Sequence, residues 1–290
     1  MLFTLQNEQL TVTFTDMGGE IYSVRRGSCE YLWQGDPTYW NGRAPVMFPI
    51  CGRLWTGKYT YAGKTYEMNL HGFARKTLFA GEIIDRNTIR FTLEANAETL
   101  AQYPFPFLLT VTYVLDGDTI RAEINTKNTG SDVMPFAPGA HPGFNVPLDG
   151  KGTFSDYRLE FGEVCSPDHL LFSETCYQTG KKEALPLENG TTLPLRHTLF
   201  DNDAIFLARP AHTVTLKSDL TERFVKVFFP DMAYLGIWHK PKTEAPYVCI
   251  EPWCGLPAFD GEVDDFAKKS DMFRILPGTE KAVRYEITFG

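Results

Sequence analysis

The chain has 290 residues, 43% of them hydrophobic and 14% aromatic, a globular composition long enough to bury a core without disulfide or metal staples. A formal charge of −8, with no Lys/Arg-rich run, argues against a nucleic-acid partner. No stretch approaches the length of a transmembrane helix, and Met1–Leu10 lacks the basic start and apolar run of a signal peptide, so the cytoplasm is the expected location with no membrane partner.

Taken in chain order, the apolar period is two rather than 3.6. Leu10, Val12 and Phe14 alternate with threonines, and Ile89, Phe91 and Leu93 alternate with polar residues. Leu109, Val111, Tyr113 and Leu115 lead into an Asp116-Gly117 turn, after which Ile120, Ala122 and Ile124 resume the pattern; this predicts a β-hairpin. Pro135–Pro147 reads as a structured loop, since aromatic and aliphatic residues are interleaved with its prolines. Asn189-Gly190-Thr191 fits a glycosylation sequon but reads better as an Asn-Gly turn. Further strands are predicted over Phe224–Phe229, Tyr234–Trp238, Tyr247–Glu251 and the C-terminal run through Val283, Tyr285, Ile287 and Phe289.

Helical periodicity is confined to Val263–Lys269, where one or two turns are expected. Cys29, Cys51, Cys165, Cys176, Cys249 and Cys254 are irregularly spaced with no C-x-x-C pair, so free thiols in a reducing compartment are expected. No linker or repeat divides the chain. The reading is an all-β sandwich or barrel forming one domain over residues 1–290.

Four segments hold polar or ionisable residues beside glycine or proline amid apolar neighbours. They are Phe48-Pro49-Ile50-Cys51-Gly52-Arg53, Asn69-Leu70-His71-Gly72-Phe73-Ala74-Arg75, Pro138 to Asn145 around His141, and Cys249 to Pro257 around Glu251. Such loops hold a side chain rigidly while letting a ligand approach the backbone. Taken singly, each has a plain structural explanation: a hydrogen-bonding histidine, a paired acid at a strand end, an arginine on backbone carbonyls. Together they point to a site.

In their order and spacing these segments, with Tyr234-Leu235-Gly236-Ile237-Trp238 and the Leu276-Pro277-Gly278 turn, resemble the aldose 1-epimerase (galactose mutarotase-like) family, in its LacX-like branch. The resemblance implies a single-domain antiparallel β-supersandwich with an open sugar cleft. By position, His71 and His141 resemble the two active-site histidines, Glu251 the catalytic glutamate and Arg53 the sugar-contacting arginine. Asp203 resembles the hydroxyl-binding aspartate, with Asp201 as a rival. Pro252-Trp253 after Glu251 departs from galactose mutarotases proper, which leaves the identity of the sugar open.

Mutarotation interconverts the α and β anomers of a cyclic sugar: a proton leaves the C1 hydroxyl and another reaches the ring oxygen as the ring opens, the carbonyl rotates about C1–C2, and the ring closes on the other face. A carboxylate suits the first transfer and an imidazole the second, which assigns Glu251 as base and His141 as acid. His71 then polarises the ring oxygen or a hydroxyl, and Arg53 and Asp203 fix other hydroxyls by charge-assisted hydrogen bonds. Trp238 and Trp253 offer apolar faces to the sugar's C–H side, or serve as core aromatics. His239 reads as a surface histidine, and His169, His197 and His212 receive no role.

This chemistry needs no metal or other cofactor. The expected partner is a small sugar, bound by a monomer or homodimer. Two alternatives stay open: a non-catalytic carbohydrate-binding protein, and a hexose-6-phosphate 1-epimerase drawing on Arg43, Arg75, Lys76, Lys240 or Lys242. A glycoside hydrolase would need a second carboxylate opposite Glu251. No ligand-spacing motif supports a metal hydrolase, and no G-x-S-x-G, P-loop or G-x-G-x-x-G occurs.

Overall fold

Why the alternating runs form strands is visible in their burial. In the computed structural model, which describes all 290 residues, Leu109, Val111, Tyr113 and Leu115 of the Phe107–Asp116 strand are buried while the residues between them are not. Each such buried side chain stabilises the fold by about 1.5–3 kcal/mol, and a one-residue slip would turn all of them to solvent. The register is therefore fixed: Phe107–Asp116 pairs antiparallel with Thr119–Asn128, from Phe107 opposite Asn128 to Asp116 opposite Thr119. The predicted hairpin closes through Gly117 and Asp118, with Gly117 in the left-handed region at φ 59°.

Two large antiparallel sheets organise the chain. The nine-stranded sheet holds the C-terminal strand Glu280–Phe289 at its centre, with this hairpin beside it and Thr88–Glu94 on the hairpin's other side. The eight-stranded sheet runs from Gln178–Ala184 through Asp168–Phe172, Ile205–Ala208, Tyr234–Trp238 and Tyr247–Trp253 to Gly139–Ala140 and Val46–Met47. One continuous cluster of 68 buried side chains draws on both sheets, from Leu5 to Phe289. The architecture is the all-β antiparallel one expected. No helix is long and apolar enough to cross a membrane.

Strand alternation in the second sheet also positions the site. Val248 and Ile250 face the main core, whereas Tyr247, Cys249, Glu251 and Trp253 take the opposite face with Trp238. Seven successive buried residues, Tyr247–Trp253, are thus a strand covered on both sides, and the carboxyl group of Glu251 lies within it.

The structure differs from expectation in three places. Val263–Lys269 is not helical: Asp264–Asp265 adds a parallel strand to Lys58–Tyr61, and a turn follows in which the Asp265 carbonyl accepts from the Lys268 and Lys269 amides. The α-helix is instead Ala97–Gln102, started by Asn96, whose side chain accepts from the Glu98 and Thr99 amides. His239 is fully buried rather than on the surface; its Nδ1–H donates to the Lys240 carbonyl, leaving Nε2 to accept from His197 Nδ1 at 3.0 Å.

The segment Pro135–Pro147 is ordered into the short strands Met134–Phe136, Gly139–Ala140 and Gly143–Asn145. Asn189 and Gly190 form the expected turn, both at positive φ, and all six cysteines are free.

Candidate active site

A cleft of about 350 Å³ opens on the outer face of the eight-stranded sheet. His71, His141, Glu251, Arg53, Asp203, Trp238 and Trp253 all line it, brought together from six separate stretches of chain. Asp201 is exposed and does not line it, which separates the two aspartates by position.

Glu251 and His141 meet at the floor. Glu251 Oε2 lies 3.3 Å from His141 Nε2, and both side chains are almost fully buried. Burial pushes the Glu251 carboxyl well above the usual carboxylate range, with the negative charge of Asp203 adding to the shift. Burial likewise pushes the His141 imidazole down to about 3. Each group resists its own charged form, so burial favours a neutral carboxyl beside a neutral imidazole. Glu251 Oε1 and His141 Nδ1 are buried without a hydrogen-bond partner, leaving unused capacity at the floor.

His71 sits on a tight loop in the left-handed region, at φ 61°. Its backbone amide donates to the Gly52 carbonyl at 2.7 Å, and the Gly52 amide donates back to His71 Nδ1 at 3.0 Å. Accepting at Nδ1 puts the imidazole proton on Nε2, so the neutral ring is a hydrogen-bond donor. Burial holds it neutral by pushing its pKa well below 6.5, and neighbouring His141, Arg75 and Arg53 add to the shift. Gly72 is required beside it: a Cβ there would lie 2.2 Å from the Phe48 carbonyl oxygen.

Asp203, also in the left-handed region at φ 77°, accepts from Trp238 Nε1 at 2.7 Å and from the Cys176 thiol at 2.6 Å. Three non-glycine residues of one cleft, His71, Cys176 and Asp203, in a backbone state that costs about 1–3 kcal/mol each fit a constrained site. Arg53 reaches across the rim to donate to the Thr175 carbonyl at 3.1 Å.

Residues beyond those singled out also line the cleft, among them Trp40, Asn41, Cys176 and Phe206. Trp40 stacks on His141, with ring centroids 4.9 Å apart and planes at 29°. No period marks such a residue, because it comes from an irregular loop whose position depends on Trp33 Nε1 donating to the Trp40 carbonyl. Of the five cations considered for a phosphate, only Arg75 lines the cleft. His141, Cys249 and Glu251 bring potential metal-ligand atoms within 4.8 Å of one another. The Cys249 thiol is held well above its ordinary pKa by burial and by Glu251, which opposes the thiolate a metal would need.

The aldose 1-epimerase family model matches residues 1–261. The chromosomal LacX protein of Lactococcus lactis subsp. lactis is 38% identical over 298 aligned positions, covering 99% of each chain. Among solved structures, a galactose mutarotase related enzyme from Lactobacillus acidophilus superposes with a TM-score of 0.95 at 33% identity, covering 100% of this chain and 97% of that one. A galactose mutarotase-like protein from Lactobacillus casei ATCC 334 gives a TM-score of 0.94 at 32% identity, with complete coverage of both. This chain belongs to the aldose 1-epimerase family.

Proposed function

We propose that this protein is a mutarotase that interconverts the α and β anomers of a hexose, with Glu251 and His141 as its proton-transfer pair. The observation that carries the reading is their 3.3 Å contact at the floor of a sugar-sized cleft. The reaction needs one transferable proton on the pair. With the proton on His141, the Glu251 carboxylate takes the proton of the C1 hydroxyl, the C1–O5 bond breaks with its electron pair moving to O5, and His141 protonates O5. The products are an open-chain aldehyde, a protonated Glu251 and a neutral His141, the form that burial favours. Rotation about C1–C2 and the reverse transfers close the ring on the other face.

His71 donates from Nε2 to the ring oxygen or an adjacent hydroxyl, while Arg53 and Asp203 fix other hydroxyls and Trp238 and Trp253 meet the sugar's C–H face. The resident groups carry out this chemistry without a cofactor. The six free thiols suit a reducing cytoplasm. Polarimetry of freshly dissolved α-anomers, taken through a series of hexoses, tests the reading. Saturable acceleration of the approach to equilibrium supports it, and an unchanged rate at high protein concentration would leave only a binding protein of the same fold.

A specific observation favours a second reading, a hexose-6-phosphate 1-epimerase. Arg75 lines the cleft with no ion pair, and its Nε is buried without a partner. Glu20 supplies a compensating charge, but burial pushes its carboxyl up to about 7, so it neutralises Arg75 only in part. An anionic substituent on the sugar would complete the pairing. A preference for the 6-phosphate over the free sugar in the same assay, lost in Arg75→Met, is the expected signature.

A further inference from the structure

Ser173–Tyr177, the tip that joins strands Asp168–Phe172 and Gln178–Ala184, reaches over the rim of the cleft. It is an internally braced turn: the Ser173 amide donates to the Tyr177 carbonyl and the Cys176 amide to the Ser173 carbonyl, each at 2.8 Å, and Cys176 takes φ 63°. The tip is anchored outside itself as well. The Tyr177 hydroxyl donates to the Leu54 carbonyl at 3.3 Å, and the Tyr177 ring meets Trp55 edge-on at 4.7 Å.

From this fixed point the tip touches two cleft residues at once. The Thr175 carbonyl accepts from Arg53 Nη1, and the Cys176 thiol donates to Asp203 Oδ2. Trp238 Nε1 holds the other oxygen, Oδ1. With one protein donor on each oxygen, the carboxylate plane cannot rotate, and each oxygen keeps acceptor capacity toward the cleft.

We propose that Cys176 is a positioning residue for sugar binding, holding the Asp203 carboxylate by its thiol in the orientation that meets the sugar hydroxyls. This rests on the mutarotase reading of the site. The thiol is suited to such a part because it stays protonated. Burial and the hydrogen bond to Asp203 push it up to about 12, so at neutral pH it is a donor and not a nucleophile. An alanine at 176 would free one side of the carboxylate, weakening ground-state and transition-state binding alike. A serine would keep a donor on a shorter side chain.

The test compares kcat and KM for anomer exchange in wild type, Cys176→Ala, Cys176→Ser, Asp203→Asn and the Cys176→Ala/Asp203→Asn double variant. Cys176→Ala should raise KM about tenfold, the cost of one hydrogen bond to a charged group, with kcat within about twofold. Cys176→Ser should restore most of the affinity, and Cys176→Ala should add little once Asp203 is already Asn.

A direct arm follows alkylation of the Cys176 peptide by iodoacetamide, read by mass spectrometry. Asp203→Asn should accelerate it several-fold by removing the acceptor and the negative charge. An unchanged KM in Cys176→Ala, full additivity with Asp203→Asn, or an unchanged alkylation rate would overturn the proposal. A wild type that exchanges no hexose anomer would instead overturn the mutarotase reading, and the affinity claim with it.

Discussion

Gly236 and Glu251 are register partners in adjacent strands, and the carboxylate lies over the position where a side chain at 236 would begin. A Cβ on Gly236 would stand 3.3 Å from both Glu251 Oε2 and Glu251 Cβ, and equally close to Phe206 Cε1. A methyl group there forces the carboxylate to shift by a few tenths of an ångström. Gly236→Ala is expected to lower kcat about tenfold, since misplacement of reacting groups by 1 Å costs about 10²-fold. Gly236→Val should lower it further. Circular dichroism should show both folded, and wild-type kcat in Gly236→Val would count against Glu251 as the proton acceptor.

The paired backbone contacts of His71 allow its two roles to be separated. Asn tolerates the left-handed region, and its side-chain oxygen can replace Nδ1 as acceptor from Gly52, but it offers no donor in the place of Nε2. His71→Asn is therefore expected to keep the melting temperature within a few degrees while lowering kcat about 10²-fold. A large loss of stability with little loss of turnover in the folded fraction would make His71 a structural residue.

The shared proton of Glu251 and His141 dictates the pH profile of kcat/KM. The active form carries one proton on the pair. Adding a second means charging buried His141, which burial holds at about 3, so the acid limb should fall far below the ordinary imidazole value. Removing the shared proton leaves a bare carboxylate, which burial resists, so the alkaline limb is pushed up from the usual carboxylate range. The expected profile is bell-shaped, with its acid limb below the ordinary imidazole value and its alkaline limb above the ordinary carboxylate range. An acid limb centred near 6.5 would contradict the one-proton pair.

His239 carries a separate consequence for stability. Its imidazole, buried against His197, is pushed down to about 4 from an ordinary 6.5. Between these values the unfolded chain binds the proton and the folded one does not, so stability from this group is present above pH 6.5 and is lost as pH falls toward 4. Urea denaturation of wild type and His239→Gln at pH 6.5 and pH 5 isolates the effect. The wild type should lose on the order of 1 kcal/mol more than the variant over that interval. Equal losses would mean that His239 is already charged in the folded state.

Much of the architecture was legible because strand pairing leaves a period-two trace wherever one face is buried, as in Leu109–Leu115 and Val283–Phe289. The trace fails where the period is absent or the element is short. Val263–Lys269 carries apolar residues at helical spacing, yet Asp264 and Asp265 are taken up by a neighbouring strand, and Phe266 is buried in the main core. The single α-helix is six residues long and is marked only by the Asn96–Thr99 cap.

At the site, residues in Gly/Pro-rich loops or strands stood out by chemistry. His71, His141 and Glu251 are ionisable among apolar neighbours, which requires an explanation in any fold. Trp40 and Cys176 did not stand out, since an aromatic in a polar loop and an isolated cysteine are ordinary until tertiary contact places one against His141 and the other against Asp203. His239 misled for the opposite reason: it looks like a strand-end histidine, and only the fold shows that it is enclosed by Phe154, Phe200 and His197.

The most direct measurement is the rate of anomer exchange of a hexose by magnetisation-transfer NMR, comparing wild type with Glu251→Gln and His141→Asn. The account predicts saturable exchange by the wild type. It also predicts a loss of at least about 10²-fold in each variant, with unchanged near-ultraviolet circular dichroism. Near-normal exchange in either variant would contradict it.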